Sequence, residues 1–370
     1  MKITRRQFLA GLSSSSVIVG SAISGASCSE QYESNDNVEI IRDVEYGDLD
    51  KQNLDFFLPR QGKKLIDENL TPVVMVIPSG AWIYSDKSSL EGYAFSLAEE
   101  GYAAATLNYR AVLDGYKWPA MIDDCKLALE WIINNGKDYS IDNGRIAALG
   151  PSAGAHLSLL LATMPETRGK MRSVASFYGP TDEKETFDNF KEKKVSTLNS
   201  KLPVSTLNSK LPFSHYINKI KISISGEESE KAVKNLKNAF MSNMILYFQE
   251  IVFGASSDEN PEIYDSASPI YYLETASPGS KFPSMLLVHG MKDHVVNIGQ
   301  IVNFENTARD LRVDVETLYL DDADHGFMEV SWYLDKNGIP GRVIENMMGD
   351  IWGYARESWD VTKDFLNRRL

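Results

Sequence analysis

The pentapeptide Gly150-Pro151-Ser152-Ala153-Gly154 sets a serine between two glycines where two apolar runs meet. Arg145-Ile146-Ala147-Ala148-Leu149 precedes it and Ala155-His156-Leu157-Ser158-Leu159-Leu160-Leu161 follows. The first run reads as a short buried strand and the second as an apolar helix. At a tight strand-to-helix turn a hydroxyl projects from the backbone toward a base, and flanking glycines admit neighbouring chain without a Cβ clash. This is nucleophile chemistry. It requires a general base, an acid that orients the base, and N–H donors for the oxyanion that forms as the serine attacks a carbonyl. Taken alone, the five residues also suit a plain glycine-rich turn capped by serine.

Five histidines could supply the base. His156 lies four residues beyond Ser152 on the same helix, too near to reach back over the turn, and reads as structural. His215 falls in a polar, lysine-rich stretch and reads as exposed. His289, beside Gly290, and His294, beside Asp293, both suit polar groups at the mouth of a site. His325, in Asp322-Ala323-Asp324-His325-Gly326-Phe327, follows the last expected strand on a short loop and is the best-placed base. Asp293 is then the acid, with Asp324 as fallback and Asp321 and Asp322 behind it. For the oxyanion, Ala153 N–H follows the nucleophile, and Ile77-Pro78-Ser79-Gly80-Ala81-Trp82 can add Gly80 and Ala81. The alternative there is a simple Pro-Ser-Gly turn.

These residues need elements to hold them. Val38 to Tyr46 and Leu54 to Leu58 predict a hairpin. Then the rhythm becomes strand, helix, strand, helix, with strands at Val73 to Ile77, Tyr102 to Leu107, Arg172 to Phe177, Met285 to Val288 and Val315 to Leu320. Helices are expected over Ser88 to Glu100, Met121 to Ile133, Ile298 to Leu311 and near the C-terminus. Such alternation predicts an α/β fold with a mostly parallel sheet flanked by helices, whose ligands bind at the carboxyl ends of the strands. Residues from 181 to about 262 break the rhythm. Val195 to Pro203 is repeated at once as Val204 to Pro212, which reads as a local duplication in a tolerant loop. Val233, Leu236, Phe240, Tyr247 and Ile251 recur at helical intervals, so the insertion is expected to lie as a cap over the site or along the domain edge.

A chain of 370 residues, 43% hydrophobic and 24% charged, can bury a large core, and its net charge of -13 argues against a nucleic-acid partner. Residues 1–27 are of another kind: Lys2, Arg5 and Arg6 lead into a Ser/Gly/Ala-rich stretch, and Thr4-Arg5-Arg6-Gln7-Phe8-Leu9 resembles a twin-arginine export signal. Gly25-Ala26-Ser27-Cys28 is similar to a lipoprotein cleavage box, although Gly25 stands where a large aliphatic residue is usual. The expectation is an export signal over 1–27, lipidation at Cys28, a polar linker over 28–37, and one domain over 38–370 in the periplasm or cell envelope. Membrane contact would come through the lipid anchor only. With Cys125 as the other cysteine, no disulfide framework is implied.

In its motifs the chain resembles the α/β-hydrolase esterases, in particular the bacterial carboxylesterase and feruloyl-esterase-like branch near the hormone-sensitive lipase group. Leu107-Asn108-Tyr109-Arg110, Trp118-Pro119-Ala120, the Ser152 turn with Ala155-His156-Leu157, and Ala267-Ser268-Pro269-Ile270 carry the likeness, over roughly residues 40–370 apart from the insertion. The order Ser152, Asp293, His325 is the order that the α/β-hydrolase sheet imposes. Two departures stand out. The family loop before the tryptophan usually begins His-Gly-Gly, whereas this chain has Pro78-Ser79-Gly80, and Pro151 replaces a common acidic or polar residue. The resemblance implies a serine esterase acting through an acyl-enzyme, without metal or organic cofactor, on small-molecule esters or acyl groups on polysaccharides. Alternatives are a peptidase of the same fold, or a binding protein that kept the scaffold and lost catalysis.

Overall fold

The computed structural model describes residues 32–60, 70–199, 246, 249–328 and 351–370. The export signal, Cys28, the duplicated segment beyond Asn199, His215, Val233, Leu236, Phe240 and Tyr247 lie outside the described residues. The chain opens with β1 (Val38–Glu45), β2 (Asn53–Pro59) and β3 (Thr71–Val76), followed by α1 (Glu91–Glu99), β4 (Ala103–Leu107), α2 (Ala120–Asn135), β5 (Ile141–Pro151), α3 (Ala153–Thr163) and β6 (Ser173–Phe177). After β6 come α4 (Glu183–Asn199), α5 (Pro261–Ser266) and α6 (Pro269–Glu274), then β7 (Ser284–Gly290), α7 (Ile298–Asp310), β8 (Val315–Leu320) and α8 (Ile351–Arg369). Among these, no helix is long and apolar enough to cross a membrane.

The eight strands form one sheet in the order β1-β2-β4-β3-β5-β6-β7-β8. β1 and β2 pair antiparallel, β2 meets β4 antiparallel, and every later pairing is parallel. This is the α/β-hydrolase fold, as the resemblance implied. The expected hairpin is present, and the parallel strands bring the ends of β3, β5, β7 and β8 to one edge of the sheet.

Side chains alternate across a strand, so a strand buried on both faces feeds two cores. β3 shows it: Val73 and Met75 join a cluster with α2, α3 and α7, whereas Val74 and Val76 join another with α1 and α8. β4 is Ala-Ala-Ala-Thr-Leu, a good helix-forming run, yet it is a wholly buried strand. Gly101, at φ +95°, lies between α1 and β4. Beyond it the slot between β2 and β3 outweighs alanine's propensity.

β5 is longer than its apolar run. It begins at Ile141, and its pairing with β3 slips between Pro72 and Val73, because Asp142 Oδ1 accepts the Gly144 amide at 2.8 Å in a local turn. The polar Asp142-Asn143-Gly144 stretch hides that first part of the strand. At the other end of the domain, the expected linker is tied down from Tyr32 onward. The Tyr32 ring lies 4.9 Å from that of Phe95, and its carbonyl accepts from Arg42 at 2.7 Å. Arg42 also bonds the buried carboxylates of Asp55 and Glu91, fastening β1 to β2 and α1.

Candidate active site

Ser152 stands between β5 and α3 at φ 50° and ψ -117°. A non-glycine residue in this region carries strain of order 1–3 kcal/mol, which persists only where the surroundings over-determine it. They do here. The Ser152 amide donates to Phe177 O at 2.9 Å, and Ser152 O accepts from His156 N at 3.0 Å. A Cβ on Gly150 would lie 2.5 Å from Ile77 O, and one on Gly154 would lie 2.0 Å from it. The loop after β3 therefore rests directly on the turn.

Ser152 Oγ lies 2.9 Å from His325 Nε2, and His325 Nδ1 lies 2.8 Å from Asp293 Oδ2. The Asp293 side chain is fully buried, and its Oδ1 accepts the Val295 and Val296 amides, each at 2.8 Å. Burial opposes its ionisation, but the His325 ring, their hydrogen bond, His289 and the Val296 amide together hold the carboxyl below the usual carboxylate range. An ionised Asp293 draws the imidazole proton to Nδ1 and leaves Nε2 able to accept from Ser152. The two loops behind this line are stitched together. Met291 N donates to Leu320 O at 2.9 Å, Lys292 N donates to Ala323 O at 3.1 Å, and a Cβ on Gly290 would lie 2.2 Å from Ala323 O.

Asp324, the fallback acid, turns away from the imidazole: its carboxylate accepts the His294 amide at 3.1 Å and faces His294 Nδ1 at 3.0 Å. It also accepts the His325 amide at 2.7 Å, so it shapes the loop. His294 is 79% exposed. His289, whose position suits a polar group at the site mouth, is fully buried, with Nε2 on Val296 O at 3.0 Å and 3.4 Å from Asp293 Oδ2. Burial pushes its pKa down, against the pull of the Asp293 carboxylate and the Val296 bond.

Gly80, Ala81 and Trp82 lie at φ 115°, 52° and 60°. The amides of Gly80 and Ala81 donate to no acceptor among the described residues. Ala153 is the first residue of α3, where helical amides lack intrahelical partners and the helix dipole favours negative charge. In place of the family histidine, the buried Tyr109 hydroxyl serves this loop, within reach of Pro78 O at 3.1 Å and Ser79 O at 3.2 Å. Tyr178 also escaped sequence reasoning. Its ring packs edge-on to His325 with centroids 4.9 Å apart, and its hydroxyl accepts from Met328 N at 3.1 Å. A tyrosine just past a strand end carries no spacing signal by itself, although Tyr109 belongs to one of the family-like motifs.

His156 is fully buried. Its Nδ1 accepts from Trp82 Nε1 at 3.1 Å and its Nε2 donates to Ala267 O at 2.5 Å; burial lowers its pKa to about 4. Beside it, Glu183 at the start of α4 is fully buried, with Oε2 accepting from Gln249 Nε2 at 2.9 Å. Glu183 Oε1 lies 3.7 Å from His156 Nε2 and has no hydrogen-bond partner among the described residues. Burial, aided by the charge of Asp182 and opposed by the Gln249 bond, pushes the Glu183 carboxyl up to about 8. Among the described residues no group of three or more His, Cys, Asp or Glu side chains could hold a metal ion.

A family model described as BD-FAE matches residues 54–307 of the chain. Esterase LipC of Mycobacterium tuberculosis is 26% identical over 300 residues, covering 77% of this chain and 59% of LipC. Esterase LipQ of the same organism is 25% identical over 324 residues, covering 84% of this chain and 62% of LipQ. The chain thus spans about three fifths of the length of these relatives. A solved structure titled as a truncated carbohydrate esterase from gut microbiota superposes with a TM-score of 0.54 at 18% identity, covering 87% of this chain and 97% of that one. At that identity the likeness carries the fold.

Proposed function

The chain belongs to the BD-FAE family, and from that premise we propose that it is a serine hydrolase that cleaves carboxylic esters through an acyl-enzyme. In this reading Ser152 is the nucleophile, His325 the base and then the acid, and Asp293 the group that holds the imidazole. The amides of Gly80, Ala81 and Ala153 receive the oxyanion. The observation that carries the proposal is the unbroken line from Ser152 Oγ through His325 to Asp293, with bonds of 2.9 and 2.8 Å, at a serine held at φ 50°.

The chemistry follows from that line. His325 Nε2 takes the Ser152 proton as Oγ attacks the ester carbonyl, and the imidazolium is stabilised by Asp293, which stays ionised. The negative charge that develops on the carbonyl oxygen falls to the three amides, each such donor contributing about 3–4 kcal/mol in related sites. His325 then protonates the leaving alcohol, water attacks the acyl-enzyme by the same route, and Ser152 is regenerated.

For the substrate class we propose acyl groups on carbohydrates, supported by the expectation of export and by the likeness to the gut carbohydrate esterase with the same fold. The twin-arginine-like residues and the Cys28 box support a place in the cell envelope. A fluorophosphonate probe should label Ser152 in the wild type and fail to label the Ser152→Ala variant. Release of acetate from acetylated xylan, against p-nitrophenyl acetate as the general ester, tests the substrate class. No labelling and no ester turnover in folded protein overturns the hydrolase reading. Membrane association lost in Cys28→Ala tests the anchor.

A further inference from the structure

The loop that carries two of the oxyanion donors is built from an unfavourable conformation. Gly80, Ala81 and Trp82 all have positive φ, and for Ala81 and Trp82 each such residue costs on the order of 1–2 kcal/mol. Gly80 O accepts the Ile83 and Tyr84 amides at 3.0 and 3.2 Å, and Val112 N donates to Trp82 O at 3.1 Å, which fixes the outer turn. The inner end is held at Pro78 O and Ser79 O by the Tyr109 hydroxyl, and beyond them by a second side chain. Trp82 Nε1 reaches His156 Nδ1 at 3.1 Å, seventy-four residues away in sequence, and the two rings meet edge to face with centroids 5.0 Å apart.

His156 suits this task because its other nitrogen is also committed. Nε2 donates to Ala267 O at 2.5 Å, so Nδ1 carries a lone pair and can only accept. The ring sits on α3 one turn beyond Ser152, and the His156 amide itself donates to Ser152 O. Trp118 stands 5.8 Å from the ring on another side, and Phe253 packs against both tryptophans. The imidazole thus joins the nucleophile's helix, the donor loop and the segment that leads back from the insertion to the core.

Resting on the serine-hydrolase reading, we propose that Trp82 and His156 are positioning residues for ester hydrolysis. The indole bond to His156 Nδ1 keeps Gly80 and Ala81 in the left-handed conformation whose successive amides converge on the oxyanion.

A donor loop acts on the transition state more than on the bound ester, so its loosening lowers kcat and leaves KM nearly unchanged. Removal of a whole donor costs about 10²–10³ in kcat elsewhere, so loss of its support through Trp82→Phe should cost roughly 10- to 100-fold. His156→Leu should show the same loss, and His156→Asn, whose amide oxygen falls near the position of Nδ1, should recover most of it. The double variant Trp82→Phe with His156→Leu should be no slower than the worse single one, because one bond is removed in each case. The measurements are kcat and KM on p-nitrophenyl acetate, thermal unfolding of each variant, and fluorophosphonate labelling of the wild type at Ser152. Wild-type kcat in folded Trp82→Phe, or a raised KM with kcat unchanged, overturns the proposal alone. If Trp82→Phe does not fold, equal losses in folded His156→Asn and His156→Leu overturn it instead. Absence of label on wild-type Ser152 overturns the hydrolase reading and this proposal with it.

Discussion

Glu183→Gln keeps the shape of a buried side chain and removes its titration. In the folded chain the carboxyl, ordinarily near 4.5, is pushed up to about 8 by burial, whereas unfolding returns it to water. Between those values the unfolded chain has released its proton and the folded chain has kept it. The unfolded state therefore binds fewer protons, and stability falls as pH rises, by about 1.4 kcal/mol per pH unit, until the folded carboxyl also ionises. The full loss is about 5 kcal/mol, of which about 4 kcal/mol falls between roughly pH 5 and pH 8.5. Glutamine has no such slope. Urea unfolding of both proteins at those two pH values should show the stability of Glu183→Gln minus that of wild type growing by about 4 kcal/mol as pH rises. The double difference cancels every group common to both chains. A gap that stays constant, or shrinks with pH, would mean that the folded chain gives up the Glu183 proton as readily as the unfolded one, and would refute the reasoning.

Asp293→Asn should lower kcat on the order of 10⁴-fold in steady-state ester hydrolysis, because the amide no longer fixes the His325 tautomer. Asp324→Asn should stay within about 10-fold of wild type, since its carboxylate faces His294; a reversed ranking would transfer the acid's role. Tyr109→Phe removes the hydroxyl within reach of Pro78 O and Ser79 O. It should cost about 1 kcal/mol in denaturant unfolding and several-fold in kcat. In Gly154→Ala the new Cβ would meet Ile77 O at 2.0 Å. Displacing backbone there should lower stability by about 1–3 kcal/mol, read as a drop in Tm, and depress turnover.

The framework was legible because burial writes itself into residue type. Val73 to Ile77 and Met285 to Val288 are apolar on both faces, Ser152 and Asp293 each follow such a buried strand, and His325 follows the half-buried β8, so chain order brings them to one edge. Chain order ranks Asp293, on the loop after β7, above Asp324, but that Asp324 turns toward His294 is set by three-dimensional pairing that spacing does not report. The first part of β5 was hidden by Asp142-Asn143-Gly144, whose local turn interrupts the apolar pattern. Tyr109 and Trp82 hold the donor loop through contacts with Pro78 and His156, 31 and 74 residues distant. Periodicity reports the neighbours along a strand or helix and is silent about such partners. His156 lies on the helix after Ser152, as its spacing predicts, but its bond to Trp82 is not written in that spacing.

The contact between the Ser152 turn and the chain after β3 also bears on how the proposed site could take a different substrate. The separation is set by backbone atoms, with the Ile77 and Pro78 carbonyls occupying the places where Gly150 and Gly154 would carry side chains. Any side chain added at Gly150 or Gly154 would run into that backbone. Adaptation to a longer acyl chain or a different alcohol has to be made elsewhere on the rim of the sheet, while this half of the site is inherited as a rigid gauge.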